Sequence, residues 1–267
     1  MTAKEIREAL KACGIENYLL ETEILIEEIC GEFVEDRDYD SQRLRDAVEK
    51  RCERYPLQYI IGKWWLANCE FFVNESCLVP RPDTETVIEL ALKNLPKGGR
   101  FADLCTGSGC IAISILDMRP DAYADAFELY PETLEMAKKN AVHNNVADRF
   151  APFLGDVLQK GLLCDKKYAA IISNPPYIRT EVIDTLEVEA RTEPRAALDG
   201  GEDGLVFYRS IVENFSDNLD ADGFFLFEIG FDQGEDLCRI AEEHLFDCKI
   251  YKDLGGCDRA ALLRKKS

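Results

Sequence analysis

Apolar positions recur along the chain in two different periods, and the change of period divides it. Thr2-x-x-Glu5 is a capping-box pattern, and Ile6, Leu10 and Cys13 follow at helical spacing until Gly14. Leu19, Leu20, Ile24, Leu25, Ile29 and Cys30 form a second helical stripe ending at Gly31. Ser41 opens a third, with Leu44, Val48 and Cys52 on one face before Pro56. From Leu57 to Val79 the helical period gives way to aromatic and β-branched residues, Trp64, Trp65, Phe71, Phe72 and Val73, with a turn expected at Asn74-Glu75-Ser76. This predicts a β-hairpin. Pro80-Arg81-Pro82-Asp83-Thr84-Glu85 then starts a helix through Leu92, with Asp83 or Thr84 as N-cap.

Beyond the Pro96-Lys97-Gly98-Gly99 turn the chain alternates strand and helix. Strands are expected at Phe101 to Leu104, Tyr123 to Phe127, Phe150 to Leu154 and Tyr168 to Ser173, with helices at Ile111 to Leu116 and Pro131 to Asn144. A helix from Leu205 to Leu219, a strand from Gly223 to Ile229, a helix around Gly234 to His244 and strands near Cys248 to Tyr251 and Ala260 to Leu263 complete the pattern. The fold class is α/β, a Rossmann-like sheet of about seven strands. The expected division is a helical domain at 1–62, a hairpin linker at 63–80 and an α/β domain at 81–267. The helical stripes carry no chemistry of their own, so the first domain is assigned to recruiting a partner.

Composition narrows the class. The 46% hydrophobic and 31% charged content are those of a globular chain, no apolar run reaches membrane-span length, and the N-terminus lacks a signal peptide, so a cytoplasmic protein is expected. Eleven cysteines without a CxxC pair, and two histidines, argue for reduced packing thiols and against a metal. A formal charge of −19 with no basic stripe argues against direct nucleic-acid binding.

Two segments carry chemistry. Asp103-Leu104-Cys105-Thr106-Gly107-Ser108-Gly109 joins the first strand to its helix, where glycines let backbone approach a ligand. Gly107-x-Gly109-x-x-Ala112 also fits a dinucleotide fingerprint, so a nicotinamide or flavin enzyme is a rival, and Glu128 is placed to bind ribose hydroxyls in either case. Cys105 and Cys110 flank this loop, and packing is preferred to reactivity for both. The second segment is Asn174-Pro175-Pro176-Tyr177, after an apolar strand. Two prolines delete two backbone donors and hold Asn174 extended, so an amide oxygen and backbone carbonyls make an acceptor-rich nest beside an aromatic ring. Parallel strands present their carboxyl ends to one crevice, which puts nest and glycine loop together. That pairing suits methyl transfer to a planar amino or amide nitrogen.

The chain resembles the HemK family of protein-glutamine methyltransferases, the release-factor type. The resemblance rests on Pro56 to Gly62, Pro80 to Glu85, the glycine loop, Ser173 to Ile178, Glu193 to Leu198 with Gly200-Gly201-x-x-Gly204, and Glu228-Ile229-Gly230. It implies S-adenosylmethionine as cofactor, a peptide chain release factor as partner, and the glutamine of a Gly-Gly-Gln loop as acceptor. It further implies cofactor contacts from Asp103 and the loop Cys105, Thr106, Gly107, Ser108 and Gly109, from Glu128 at the ribose, from Asp156 and Val157 beside the adenine, and from Asn174. Acceptor contacts fall to Asn174, Pro175, Pro176 and Tyr177. Of these, the Asn174 oxygen and Pro175 carbonyl would take the two amide hydrogens, and Tyr177 would pack on the amide plane. The family usually has Gly at Cys105 and Asp at Glu128; a Cβ at position 105 is tolerated if φ is negative. Alternatives are a ribosomal-protein glutamine methyltransferase and a nucleic-acid adenine amino-methyltransferase.

Overall fold

The structure, a computed structural model, describes residues 1–266. The chain divides into two compact units, residues 1–63 with 186–192, and residues 64–185 with 193–266.

The first unit is helical: α1 (Ala3–Ala12), α2 (Tyr18–Cys30), α3 (Gln42–Cys52) and α4 (Leu57–Ile61), joined by α8 (Val188–Thr192) from a later excursion of the chain. Thr2 caps α1 as its sequence requires, the hydroxyl accepting from Glu5 N–H and the Glu5 carboxylate accepting from Thr2 N–H. Ile6, Leu10, Leu25, Ile26 and Leu44 supply the core. Arg51 is buried with its charge matched, donating to Glu21 at 2.6 Å and to Glu189 of α8 at 3.1 Å. This pair of contacts fastens the excursion to the helices.

The second unit opens with a two-stranded hairpin, β1 (Lys63–Leu66, its first residue counted with the helical unit) and β2 (Cys69–Phe72). Its turn is at Ala67-Asn68, not at Asn74 to Ser76, and residues 57–61, expected in the extended stretch, are helical. Ala67 takes a φ of 51°, which the type of residue does not advertise. Asn74 does turn the chain, accepting from Ser76 N–H, but after the hairpin has ended.

Seven strands follow: β3 (Arg100–Leu104), β4 (Tyr123–Glu128), β5 (Phe150–Leu154), β6 (Tyr168–Ser173), β7 (Leu219–Glu228), β8 (Phe246–Lys252) and β9 (Asp258–Lys265), in the order β5-β4-β3-β6-β7-β9-β8. The first five are parallel; β9 runs antiparallel to β7 and to β8. Helices α5 (Glu85–Asn94), α6 (Cys110–Met118), α7 (Pro131–His143), α9 (Arg195–Leu198), α10 (Val206–Phe215) and α11 (Gly234–Glu243) complete the unit. β7 begins four residues before the expected Gly223, because α10 stops at Phe215 and a single 3-10 turn leads into the sheet. On one sheet face Ala102, Leu104, Ile171, Phe225, Phe227, Ala261 and Leu263 pack with Tyr208, Ile211, Val212 and Phe215 of α10 and Leu237 and Ile240 of α11. Period-two alternation in the strands and a helical stripe in each cover together produce that core.

Register places the site. Leu104 is level with Phe127 and with Ser173, and Glu128 with Leu154, so the carboxyl ends of β3, β4, β5 and β6 finish along one edge. Polar side chains emerging just past those residues therefore share a crevice.

Candidate active site

A cavity of about 250 Å³ lies at that edge. Of the residues expected at the site, Cys105, Thr106, Gly107, Ser108, Glu128, Asp156, Val157, Asn174 and Pro176 line it; Asp103, Gly109, Pro175 and Tyr177 do not. Cys77, Leu78, Leu129, Tyr130, Thr133 and Phe207, to which the sequence assigns no role, also border it, as do Ser76, expected in a turn, Arg81 and Thr84, expected at a helix start and in a family motif, and Pro194 and Ala197, expected only in a family motif. The hairpin exit was legible as turn chemistry at Asn74, but nothing local says that it closes over a loop thirty residues later.

Asp103 and Gly109 support the lining from behind. Asp103 is fully buried, accepts from the Thr106 hydroxyl at 2.5 Å and so ties the loop to the end of β3. Burial pushes its pKa up to about 7, against the opposing pull of the Thr106 hydroxyl and the Ala112 amide. Asp103 Oδ1 makes no hydrogen bond within bonding distance and angle among the described residues. Gly109 holds φ at 83°, a left-handed conformation that glycine takes without strain, and α6 starts from it. Asn140 of α7 donates to Ser108 O at 2.8 Å and to Phe72 O at 3.0 Å, joining the loop to the hairpin.

Cys105 departs from expectation. Its φ is +59°, the left-handed region, and not the negative value on which a Cβ was to be tolerated. Strain of order 1 kcal/mol is held there by packing of the side chain against the sheet core. Burial raises its thiol pKa and pushes Cys110 up to about 12, so both remain protonated packing groups at neutral pH.

Glu128 ends β4 with both oxygens engaged. Oε2 accepts from Gly107 N–H at 3.0 Å, and Oε1 from Leu129 N–H at 2.9 Å and Tyr130 N–H at 3.1 Å. Burial raises its pKa, and those three amides oppose the shift. The carboxylate therefore shapes the loop as well as facing the cavity. Among the lining residues three are acidic, Glu128, Asp156 and Asp199, and Arg81 alone is basic. An acceptor-rich, net negative wall suits a ligand bearing hydroxyls and positive charge.

Asn174 closes the cavity on the β6 side, and its side-chain amide makes no hydrogen bond to the rest of the protein among the described residues. Tyr177 turns inward, its hydroxyl 3.4 Å from Glu228 Oε1 while the Thr84 hydroxyl donates to Glu228 Oε2 at 2.6 Å. Thr84 thus spends its hydroxyl on β7 instead of capping α5, and Asp83 pairs with Arg259 at 3.3 Å. Across the cavity mouth Glu193 accepts from Val79 N–H at 3.0 Å and pairs with Arg81, binding the Pro80 segment to the Glu193 segment.

Glu228 carries a pH signature. Burial pushes its pKa up to about 7, against the Thr84 hydroxyl and Arg259. A folded-state pKa above the unfolded one means that the folded protein binds more protons between about pH 4.5 and 7, so stability is full below that window and is lost as pH rises through it. Relative to Glu228→Gln, the wild type should lose up to about 1.4 kcal/mol per pH unit there. Urea melts of both proteins at pH 5 and pH 7 check this; equal losses would show that Glu228 is already ionised at pH 5.

Residues 82–205 match the Methyltransferase small domain family. A solved methyltransferase from Pyrococcus furiosus shares the fold, with a TM-score of 0.56 at 18% identity over 74% of this chain and 90% of that one. The seven-stranded sheet with a glycine loop at its carboxyl edge is that of the class I methyltransferases, which take a methyl donor of the S-adenosylmethionine type. Proteins named release factor glutamine methyltransferase are similar over nearly the whole chain: one from Geobacter sulfurreducens is 37% identical over 92% of this chain and 89% of its own length. Another, from Caulobacter vibrioides, is 36% identical over 96% and 92%. This chain belongs to the release factor glutamine methyltransferase family.

Among the described residues no helix is long and apolar enough to cross a membrane, and no group of three or more His, Cys, Asp or Glu is placed to hold a metal ion.

Proposed function

We propose that this protein transfers a methyl group from S-adenosylmethionine to the side-chain amide nitrogen of the glutamine in the Gly-Gly-Gln loop of a peptide chain release factor. The observation that carries the reading is a single cavity bordered by the glycine loop on one side and by Asn174 on the other.

The residues present fit the cofactor. Gly107 opens onto space that an added Cβ would enter without meeting any atom within 4 Å, and Glu128, Asp156 and Asp199 set three carboxylates in the lining. Thr106, Gly107, Ser108, Glu128, Asp156 and Val157 would hold it, and when bound it supplies an electrophilic methyl on a sulfonium. The chain's own task is the acceptor. An amide nitrogen is a poor nucleophile because its lone pair is delocalised, so orientation and desolvation are what the protein contributes. Asn174 Oδ1 and the Pro175 carbonyl would accept the two N–H groups. Tyr177 would pack on the amide plane, its hydroxyl held 3.4 Å from Glu228 Oε1.

A release-factor substrate implies a cytoplasmic site of action, and the charge of −19 weighs against a nucleic-acid acceptor. The helical unit of residues 1–63 has no group suited to catalysis and would recruit the folded partner, raising the effective concentration of its loop at the nest. The test is parallel incubation with methyl-labelled S-adenosylmethionine and purified release factors, ribosomal proteins, DNA, RNA and a free Gly-Gly-Gln peptide. Label is expected on the release-factor glutamine, with kcat/KM far higher for the folded factor than for the peptide. Label on a ribosomal protein or a nucleic acid alone would overturn the reading, and equal kcat/KM for factor and peptide would remove the recruiting role.

A further inference from the structure

The segment that carries Asn174 has little to hold it locally. Pro175 and Pro176 have no amide to donate, and neither belongs to a strand. Its support comes from two distant stretches. Ile178 N–H donates to Leu198 O at 2.9 Å, Gly200 N–H to Ile178 O at 2.8 Å and Thr180 N–H to Gly201 O at 2.9 Å, a short parallel bridge just past Tyr177. The glycines make the approach possible: a Cβ on Gly200 would lie 2.7 Å from Tyr177 Cα and 2.8 Å from Pro176 O.

Beside the Tyr177 hydroxyl's contact with Glu228, one buried side chain holds the segment's backbone. Gln233, the buried residue preceding α11, donates from Nε2 to Tyr177 O at 3.0 Å and to Gly204 O at 3.2 Å, and its Oε1 accepts from Gly230 N–H at 2.9 Å. Both amide hydrogens and the amide oxygen are thus used, each on a backbone group of a different loop. A primary amide is the smallest neutral group that can do this: two divergent donors for two carbonyls and an acceptor for one N–H. With Glu the acceptor survives and both donors are lost, leaving oxygen against oxygen.

We propose that Gln233 is a positioning residue for methyl transfer, clamping the Tyr177 carbonyl against the 200–204 loop and the end of β7 so that the Asn174 amide keeps its aim into the cavity. The proposal rests on the reading of Asn174 as the acceptor-binding group. Gln233 touches neither ligand, being absent from the cavity lining, and acts on the acceptor side alone. Its loss should therefore separate turnover from cofactor binding, since a displacement of about 1 Å at the reacting groups costs of order 100-fold in rate.

The test uses full-length wild type, Gln233→Glu and Gln233→Met with S-adenosylmethionine and folded release factor, alongside hydrogen exchange of the free proteins. Gln233→Glu is expected to lower kcat about 100-fold with the cofactor Kd unchanged. Amides at Ile178, Thr180 and Gly200 should exchange about tenfold faster while those of β6 and β7 keep their protection. If the Glu variant does not fold, Gln233→Met, which removes the donors without the repulsion, is read in the same way. Unchanged kcat, or a loss of protection spread equally through β6 and β7, overturns the clamp. If the wild type binds cofactor but methylates no release factor, the functional reading falls, and the exchange pattern alone decides whether Gln233 holds the segment.

Discussion

Asn174→Ala is expected to lower kcat by about 100- to 1,000-fold, the range seen when a preorganised hydrogen-bonding group is removed from a reacting centre, with cofactor affinity little changed. The side chain lies in the cavity wall and makes no hydrogen bond among the described residues. What is lost is the acceptor that would orient an amide N–H. Asn174→Asp is the sharper comparison: it keeps both size and an acceptor but places a negative charge beside a methyl donor that is itself cationic, which should tighten cofactor binding while failing to restore turnover. Steady-state kinetics with saturating release factor and calorimetry with the cofactor separate the two quantities. A kcat within a few-fold of wild type for Asn174→Ala would remove the orienting role.

Gly204→Ala should damage both stability and turnover, for a reason visible only in three dimensions. Gly204 has φ of +75°, and a Cβ there would collide with the Tyr177 carbonyl oxygen and stand 2.8 Å from Gln233 Nε2. Left-handed strain of about 1–2 kcal/mol adds to an overpacking cost of about 1–3 kcal/mol, so a loss of about 2–5 kcal/mol is expected. Any relaxation must push Tyr177 away and with it the Asn174 segment. Gly256→Ala supplies the control, since its φ of +83° is equally left-handed but an added Cβ meets nothing within 4 Å. That variant should lose only the strain and keep full turnover. Urea melts with activity assays on both proteins make the comparison; equal losses of stability in the two would show that the 200–204 loop yields freely.

These two substitutions differ in how they could be foreseen. Asn174 was legible because proline restricts its neighbours wherever it occurs, and parallel strand ends set that tetrapeptide in one crevice with the glycine loop. The strand and helix alternation was legible for a similar reason: burial on a sheet or on one side of a helix imposes a period on consecutive residues. From these alone came the α/β class, the crevice at the strand ends and the meeting of Glu128 and the glycine loop with Asn174.

What the chain does not announce is how buried polar groups far apart in sequence satisfy one another. Thr84 looks like an N-cap until the fold sets its hydroxyl against Glu228, 144 residues away. Glu193 reaches back to Val79 across 114 residues, and Gln233 to Tyr177 across 56. None of the three carries a periodic signal, because each partner is chosen by which loops the sheet order β3-β6-β7 brings side by side. Cys105 teaches the same lesson at the backbone: its residue type favours a negative φ, and only the bend required between β3 and the glycine loop, held by core packing around its side chain, sets it at +59°. Local preference is worth about a kilocalorie per residue and yields where tertiary packing offers more. The sequence by itself therefore determined the layers and the edge where chemistry is placed, while the tertiary structure alone decided which buried hydroxyls, carboxylates and amides hold that edge in shape.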